Sequence, residues 1–146
     1  VTVVGERLFT IRIAPVIGDA PPDWRPYALD NAIRIETCAL PHMYECKLRL
    51  LMRRLDLAFG CIDLVVDADG EIHFLEVNQS GDFLFAEERN GSLPLLQAMC
   101  AMLKTGRVDY PLDAATVISY RDYLASDAHQ EWRRATADDA GGGGAA

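Results

Sequence analysis

Three oxygen-bearing side chains fall where they could hold a divalent cation. Residues 61–66 (CIDLVV) and 72–77 (IHFLEV) are rich in β-branched and aromatic residues and read as strands. The turn-forming Asp67-Ala68-Asp69-Gly70 joins them. Asp63 lies inside the first run, and Glu76 and Asn78 stand two apart at the end of the second. Side chains alternate faces along a strand, so Glu76 and Asn78 point the same way, and hairpin pairing lets Asp63 join them. Two carboxylates and an amide oxygen on a rigid sheet are hard ligands that suit Mg²⁺. Each residue also has a plainer reading. Asp63 can be a solvent-facing strand residue, although a carboxylate among apolar neighbours is costly unless paired or bound to a cation. Glu76 can be a strand end, and Asn78 a turn residue.

The rest of the chain supplies elements to position them. Residues 1–4 and 7–13 flank Gly5-Glu6 and read as a hairpin. Residues 14–26 carry four prolines and read as loop. Residues 32–37 alternate, with Ile33 and Ile35 on one face, and read as a strand. Over residues 42–57, Tyr44, Leu48, Leu51 and Leu55 fall at helical spacing, and Gly60 is the expected stop. Residues 78–91 read as loop around Phe83-Leu84-Phe85, a core or lid segment. Ser92 and Pro94 open a helix reaching Lys104. A last helix is expected over 114–125. The order implies an α+β fold, a mostly antiparallel sheet with helices packed on it.

A chain of 146 residues is long enough for one domain with a real core. A net charge of −8 argues against a nucleic-acid binder held by a basic surface, though not against a nucleotide carried with Mg²⁺. Cys38, Cys46, Cys61 and Cys100 form no CxxC pair and are expected to be reduced thiols in a cytoplasmic protein. His42, His73 and His129 show no ligand spacing with Cys or Asp, and all three read as non-functional. The basic residues from Lys47 to Arg54 read as a solvated helix face. No apolar run reaches the roughly 18–20 residues of a membrane span, and no signal peptide opens the chain. It opens on strand-like Val1-Thr2-Val3-Val4 without an initiator Met, as a cut through a folded unit would. Residues 126–146 end in Gly141–Gly144 and two alanines and are expected to be a disordered Gly/Ala-rich tail.

The stretch FGCIDLVVDADGEIHFLEVNQSGDFLFAEE, residues 59–88, closely resembles the C-terminal part of the ATP-grasp fold. It is most similar to the branch of ribosomal-S6 modification ligases, glutathione synthetase-like enzymes and ribosomal-peptide maturases of the microviridin or graspetide type. Those maturases share an aspartate strand, then FLEVN, then a G-x-F/W-L segment ending in an acidic residue. VTVVGERLFTIRI resembles the preceding hairpin, and PPDWR the D-W/F-R segment. The resemblance runs from Val1 to about residue 103, strongest over 59–88. It implies an ATP- and Mg²⁺-dependent carboxylate ligase, with Mn²⁺ as an alternative ion, that forms an amide or ester through an acyl phosphate. Carried over, Asp63, Glu76 and Asn78 hold metal, and Glu76 bridges two ions. Arg25, otherwise a surface arginine in a Pro-rich loop, becomes the catalytic candidate gripping phosphate or the acyl-phosphate oxyanion. Arg12 is a weaker cofactor-binding candidate, equally readable as a solvated strand residue.

A complete ATP-grasp enzyme also has an N-terminal ATP subdomain with phosphate-binding lysines and a glycine-rich loop, and nothing in this sequence reads as either. Residues 1–125 are therefore expected to be an incomplete C-terminal ATP-grasp subdomain. The expected partners are a nucleotide, a carboxylate or peptide substrate, the missing N-terminal part and, as a further option, a second copy in a homodimer. Nucleic acid and membrane are not expected. The alternative is a non-catalytic remnant that binds a metal or a partner.

Overall fold

The computed structural model describes residues 1–16 and 33–141. The fold is α+β. A four-stranded antiparallel sheet has the order β2-β1-β5-β6, built from β1 (Thr2–Val4), β2 (Arg7–Phe9), β5 (Phe59–Val66) and β6 (Ile72–Asn78). A separate antiparallel pair joins β3 (Ile11–Pro15) to β4 (Ile33–Thr37). The run expected as one strand over 7–13 is thus split at Thr10: β2 pairs with β1 in one sheet, and β3 leaves for the other. Ala14 and Pro15, expected in a loop, close the β3–β4 ladder, where Pro15 stands at the strand's last position and is needed for no further ladder bond.

Alternation decides which face of the large sheet each helix covers. Val3, Ile62, Leu64 and Val77 lie on one face, against Leu48 and Met52 of α1 (His42–Arg54). Val4, Phe9 and Phe59 lie on the other, against Ala98, Ala101 and Met102 of α3 (Leu95–Thr105). Val3, Ile62 and Leu95 are nearly inaccessible, and burying each contributes about 1.5–3 kcal/mol. Tyr110 closes the second core: its hydroxyl donates to the Val4 carbonyl at 3.1 Å, and burial pushes the phenol pKa up.

Several helix boundaries differ from the sequence reading. α1 stops at Arg54, where Asp56 takes a left-handed φ of 55°, a conformation aspartate tolerates better than most residues. Gly60 is no helix stop; it lies within β5, packed against Met52 and Val77. α3 has no Ser92 cap, because the Ser92 hydroxyl turns to Asn90 Oδ1 at 2.7 Å. The expected loop over 78–91 contains a short helix, α2 (Leu84–Arg89), whose Ala86 is buried with Leu93 and Leu95. The helix expected over 114–125 begins only at α4 (Tyr120–Ala125), where the Ser119 side chain accepts from the Asp122 N–H. Of residues 126–146, expected as a disordered tail, 127–141 form α5 (Asp127–Gly141), and 142–146 lie outside the described residues. Ala, Glu, Gln and Arg are good helix formers, and the Ser126 hydroxyl accepts from the His129 N–H at its start. No helix among the described residues is long and apolar enough to cross a membrane.

Candidate functional site

β5 runs out of the core along one face of the sheet. Phe59 packs under α3 with its ring 4.9 Å from Phe83, Cys61 follows half-buried, and Asp63 is exposed. Across the strand pair Cys61 stands opposite Asn78 and Asp63 opposite Glu76. All four side chains therefore share a face, continuous with the one that α3 covers further along. Exposure removes the burial cost that made Asp63 conspicuous in the sequence.

The register makes a different point. Like charges directly opposite across an antiparallel pair destabilise it, and Asp63 and Glu76 are such a pair. Neither carboxylate makes a hydrogen bond or a close ion pair among the described residues; the Val1 ammonium, held on the Ile62 carbonyl at 2.7 Å, acts on Asp63 only through its charge. The ladder shifts register immediately afterwards: Leu64 pairs with Phe74, leaving Leu75 as the extra residue. Such bulges bend the strand and re-aim neighbouring side chains. Leu75 is 58 % exposed there.

Asn78 is partly committed. Its Oδ1 accepts from the Ser80 backbone N–H at 3.0 Å and, at a longer 3.4 Å, from the Ser80 hydroxyl. This turn folds residues 78–81 back over β5. A Cβ on Gly81 would stand 3.1 Å from Cys61 Cβ and 3.3 Å from Asn78 Cγ, so the approach is one that glycine allows. Burial pushes the Cys61 thiol pKa up against the opposing Val1 ammonium and Thr2 side chain, and the Asp63 and Asp82 carboxylates add to the rise. Asp82 is thus a further carboxylate near this face. Its position one residue after Gly81 in a tight turn was the only signal for it.

The remaining candidates do not join the group. Arg12 stands on β3 in the other sheet, exposed and opposite Glu36, with no hydrogen bond or ion pair to Asp63, Glu76 or Asn78. Arg25, with Asp23 and Trp24, lies outside the described residues. His73 binds Asp67 Oδ2 at 2.6 Å, and Asp67 Oδ1 accepts from the Asp69 and Glu71 N–H groups, so this histidine clamps the hairpin turn. His42 lies 3.5 Å from Cys46, a proximity the sequence reading did not expect; the i, i+4 spacing on a helix was the available signal. The acidic end of the 59–88 stretch also divides. Glu87 is buried, its two oxygens accepting from the N–H groups of Leu96 and Tyr120, while Glu88 is exposed.

No three or more His, Cys, Asp or Glu side chains gather at metal-binding range among the described residues. The Asp63–Glu76–Asn78 face, with two carboxylates and an amide, is a partial donor set. It fits an ion that keeps waters and shares ligands with a phosphate. A groove of about 410 Å³ lies on the opposite face of the sheet, between α1 and the β5–β6 hairpin, lined by Tyr44, Lys47, Leu51 and Phe74. It belongs to the α1 packing and not to the carboxylate pair.

No protein-family model matches the chain, and no curated protein does. Among solved structures the chain is similar to macrocyclase MdnC from Microcystis aeruginosa MRC, bound with precursor peptide MdnA, at a TM-score of 0.59 and 32 % sequence identity. The match covers 72 % of this chain and 32 % of the macrocyclase, so the chain spans about a third of that protein's length.

Proposed function

We propose that this chain is the metal-holding, C-terminal ATP-grasp portion of an ATP-dependent carboxylate ligase whose substrate is a peptide. The observation that carries the reading is the register-opposed Asp63–Glu76 pair, with Asn78 on the same face. The similarity to a macrocyclase bound to its precursor peptide supports the ligase class and the peptide substrate. The other parts of an ATP-grasp site, on the same polypeptide or another, act with it.

Bound Mg²⁺–ATP supplies the phosphoryl group that activates a carboxylate for attack by an amine or hydroxyl. The residues of this chain hold and orient. Asp63 and Glu76 would offer the negative oxygens that hold the metal, whose charge would relieve their mutual repulsion. Asn78 contributes its amide oxygen, with the Ser80 bonds fixing its side chain. Arg25 is assigned to the phosphate or acyl-phosphate oxygens, and Arg12 to a lesser contact with the nucleotide.

Two measurements test this. Mn²⁺ added to the chain should broaden the amide signals of Asp63, Glu76 and Asn78, and Asp63→Asn should remove the effect. In the absence of cation the same variant should gain about 0.2–1 kcal/mol, because a like-charge pair is gone. In the complete ligase, Glu76→Gln should abolish ATP-dependent ligation while leaving the fold as stable as the parent or about 0.2–1 kcal/mol more so, since it removes the same like-charge pair. A fully active Glu76→Gln enzyme defeats the proposal. Mn²⁺ broadening without any ligase activity in the complete protein would instead support a non-catalytic metal-binding role.

A further inference from the structure

The backbone does not demand glycine at position 81. Among the described residues the glycines with left-handed φ are Gly5, Gly70 and Gly106, so φ at Gly81 is one that an L side chain can adopt. What the missing side chain provides is space. A Cβ there would stand 3.1 Å from Cys61 Cβ, 3.2 Å from Cys61 Sγ and 3.3 Å from Asn78 Cγ. All three are inside the roughly 3.5–4.0 Å at which such atoms pack best. A Cβ on Gly91, by contrast, would meet nothing within 4 Å.

The neighbours of Gly81 differ in what can yield. Cys61 Cβ is set by the β5 backbone, which pairs with Thr2 on one side and Asn78 on the other. The Cys61 thiol donates to the Gly81 carbonyl at 3.9 Å. The Asn78 carboxamide is the end of an exposed side chain, so a methyl at 81 displaces it first. Its orientation decides whether it can hold a cation, because only the oxygen end carries lone pairs and the NH₂ end only donates. The Ser80 N–H, 3.0 Å from Oδ1, fixes the oxygen end through one lone pair. The Ser80 hydroxyl reaches the same oxygen only at 3.4 Å, which leaves the second lone pair for an ion. We propose that Gly81 is a positioning residue for the face formed by Asp63, Glu76 and Asn78: its bare backbone lets the 78–81 turn lie on Cys61 and keeps the Asn78 oxygen aimed for a divalent cation. The inference rests on the metal role proposed for that face.

Mn²⁺ is the probe, its affinity read from the loss of the free-ion electron paramagnetic resonance signal on titration with the chain. Gly81→Ala and Asn78→Ala should each weaken binding by about tenfold, the low end of what losing a ligand's support costs. The double variant should be no weaker than either single one, because both act through the same oxygen. Gly91→Ala should bind as the parent does. Without ion, Gly81→Ala should keep the parent's far-ultraviolet circular dichroism and shift the Asn78 side-chain NH₂ and Ser80 amide signals in NMR. Cys61→Ala/Gly81→Ala, which removes the thiol contact, should show the same loss and carries the test should the single variant not fold. Parent affinity in Gly81→Ala, or losses that add in the double variant, would overturn the positioning role and leave the metal role standing. A parent chain that binds no Mn²⁺ would overturn the metal role itself, and the positioning role with it.

Discussion

Glu87 separates what holds this fold together from what its acidic motif could do chemically. It is only 3 % exposed. Its Oε2 accepts from the Leu96 N–H at 2.7 Å in the first turn of α3, and its Oε1 from the Tyr120 N–H at 2.6 Å at the start of α4. One carboxylate thus satisfies orphan donors of two helices that approach it from different parts of the chain, and its charge complements both helix N-termini. Glu87→Ala leaves two backbone donors without acceptors in a site closed by Ala86, Leu93 and Leu95. At about 1.5–3 kcal/mol for each bond to a charged acceptor, the expected loss is roughly 3–5 kcal/mol. For a domain of this size that is a fall of roughly 10–15 °C in Tm. Glu87→Gln keeps one acceptor oxygen but turns an amide N–H₂ toward the other donor, and should lose about half as much. Glu88→Ala, at the exposed neighbour, should stay within about 0.5 kcal/mol of the parent. Urea denaturation of the three variants gives the comparison. A Glu87→Ala midpoint within about 1 kcal/mol of the parent would refute the bridging role.

Two further expectations concern the turns. Gly5 has φ +58°, and a Cβ there would stand 2.2 Å from the Val108 carbonyl oxygen, whose backbone has little room to yield while it accepts from the Glu6 N–H. Gly5→Ala should therefore cost about 2–4 kcal/mol by denaturant melt, from left-handed strain plus the clash, and a neutral result would contradict the packing of 108–110 on this turn. At the β5–β6 turn, the His73 side chain and then the Glu71 N–H hold the Asp67 carboxyl pKa below its ordinary 3.8. A group depressed in the folded state stabilises it fully above the unfolded value and ceases to do so as pH falls through the folded one. The clamp should thus be lost only on acidification below about pH 4. The Asp67 carboxyl carbon, followed by NMR, should titrate below 3.8 and move toward it in His73→Ala; an identical midpoint in both proteins would remove His73 from the clamp.

How much of this was legible in the sequence follows from the range of the forces involved. The β5–β6 hairpin was readable because its signals are local: alternating β-branched runs joined by a four-residue turn with Asp67 at its head. Alternation alone also placed Glu76 and Asn78 on one face, and the register then set Asp63 across from Glu76. The exposure of Asp63 was not readable, because it depends on how far α3 reaches along the sheet. The split at Thr10 was equally hidden. Residues 7–13 have one continuous strand propensity, and only the choice of partner, β1 for the first half and β4 for the second, divides them. α2 escaped notice because six residues carry too little periodicity to register, and its stability comes from the burial of Ala86 and Glu87 and not from propensity. Glu87 shows the same limit at the level of one side chain. In the sequence it ends a motif beside Glu88, and the two are indistinguishable. Only the arrival of α3 and α4 makes one a buried cap for two helices and leaves the other in solvent. An acidic residue at the end of a motif therefore carries no presumption of chemistry here. What separates Asp63 and Glu76 from it is that they oppose each other in register with no hydrogen bond to their oxygens among the described residues, whereas both Glu87 oxygens are already occupied by the fold.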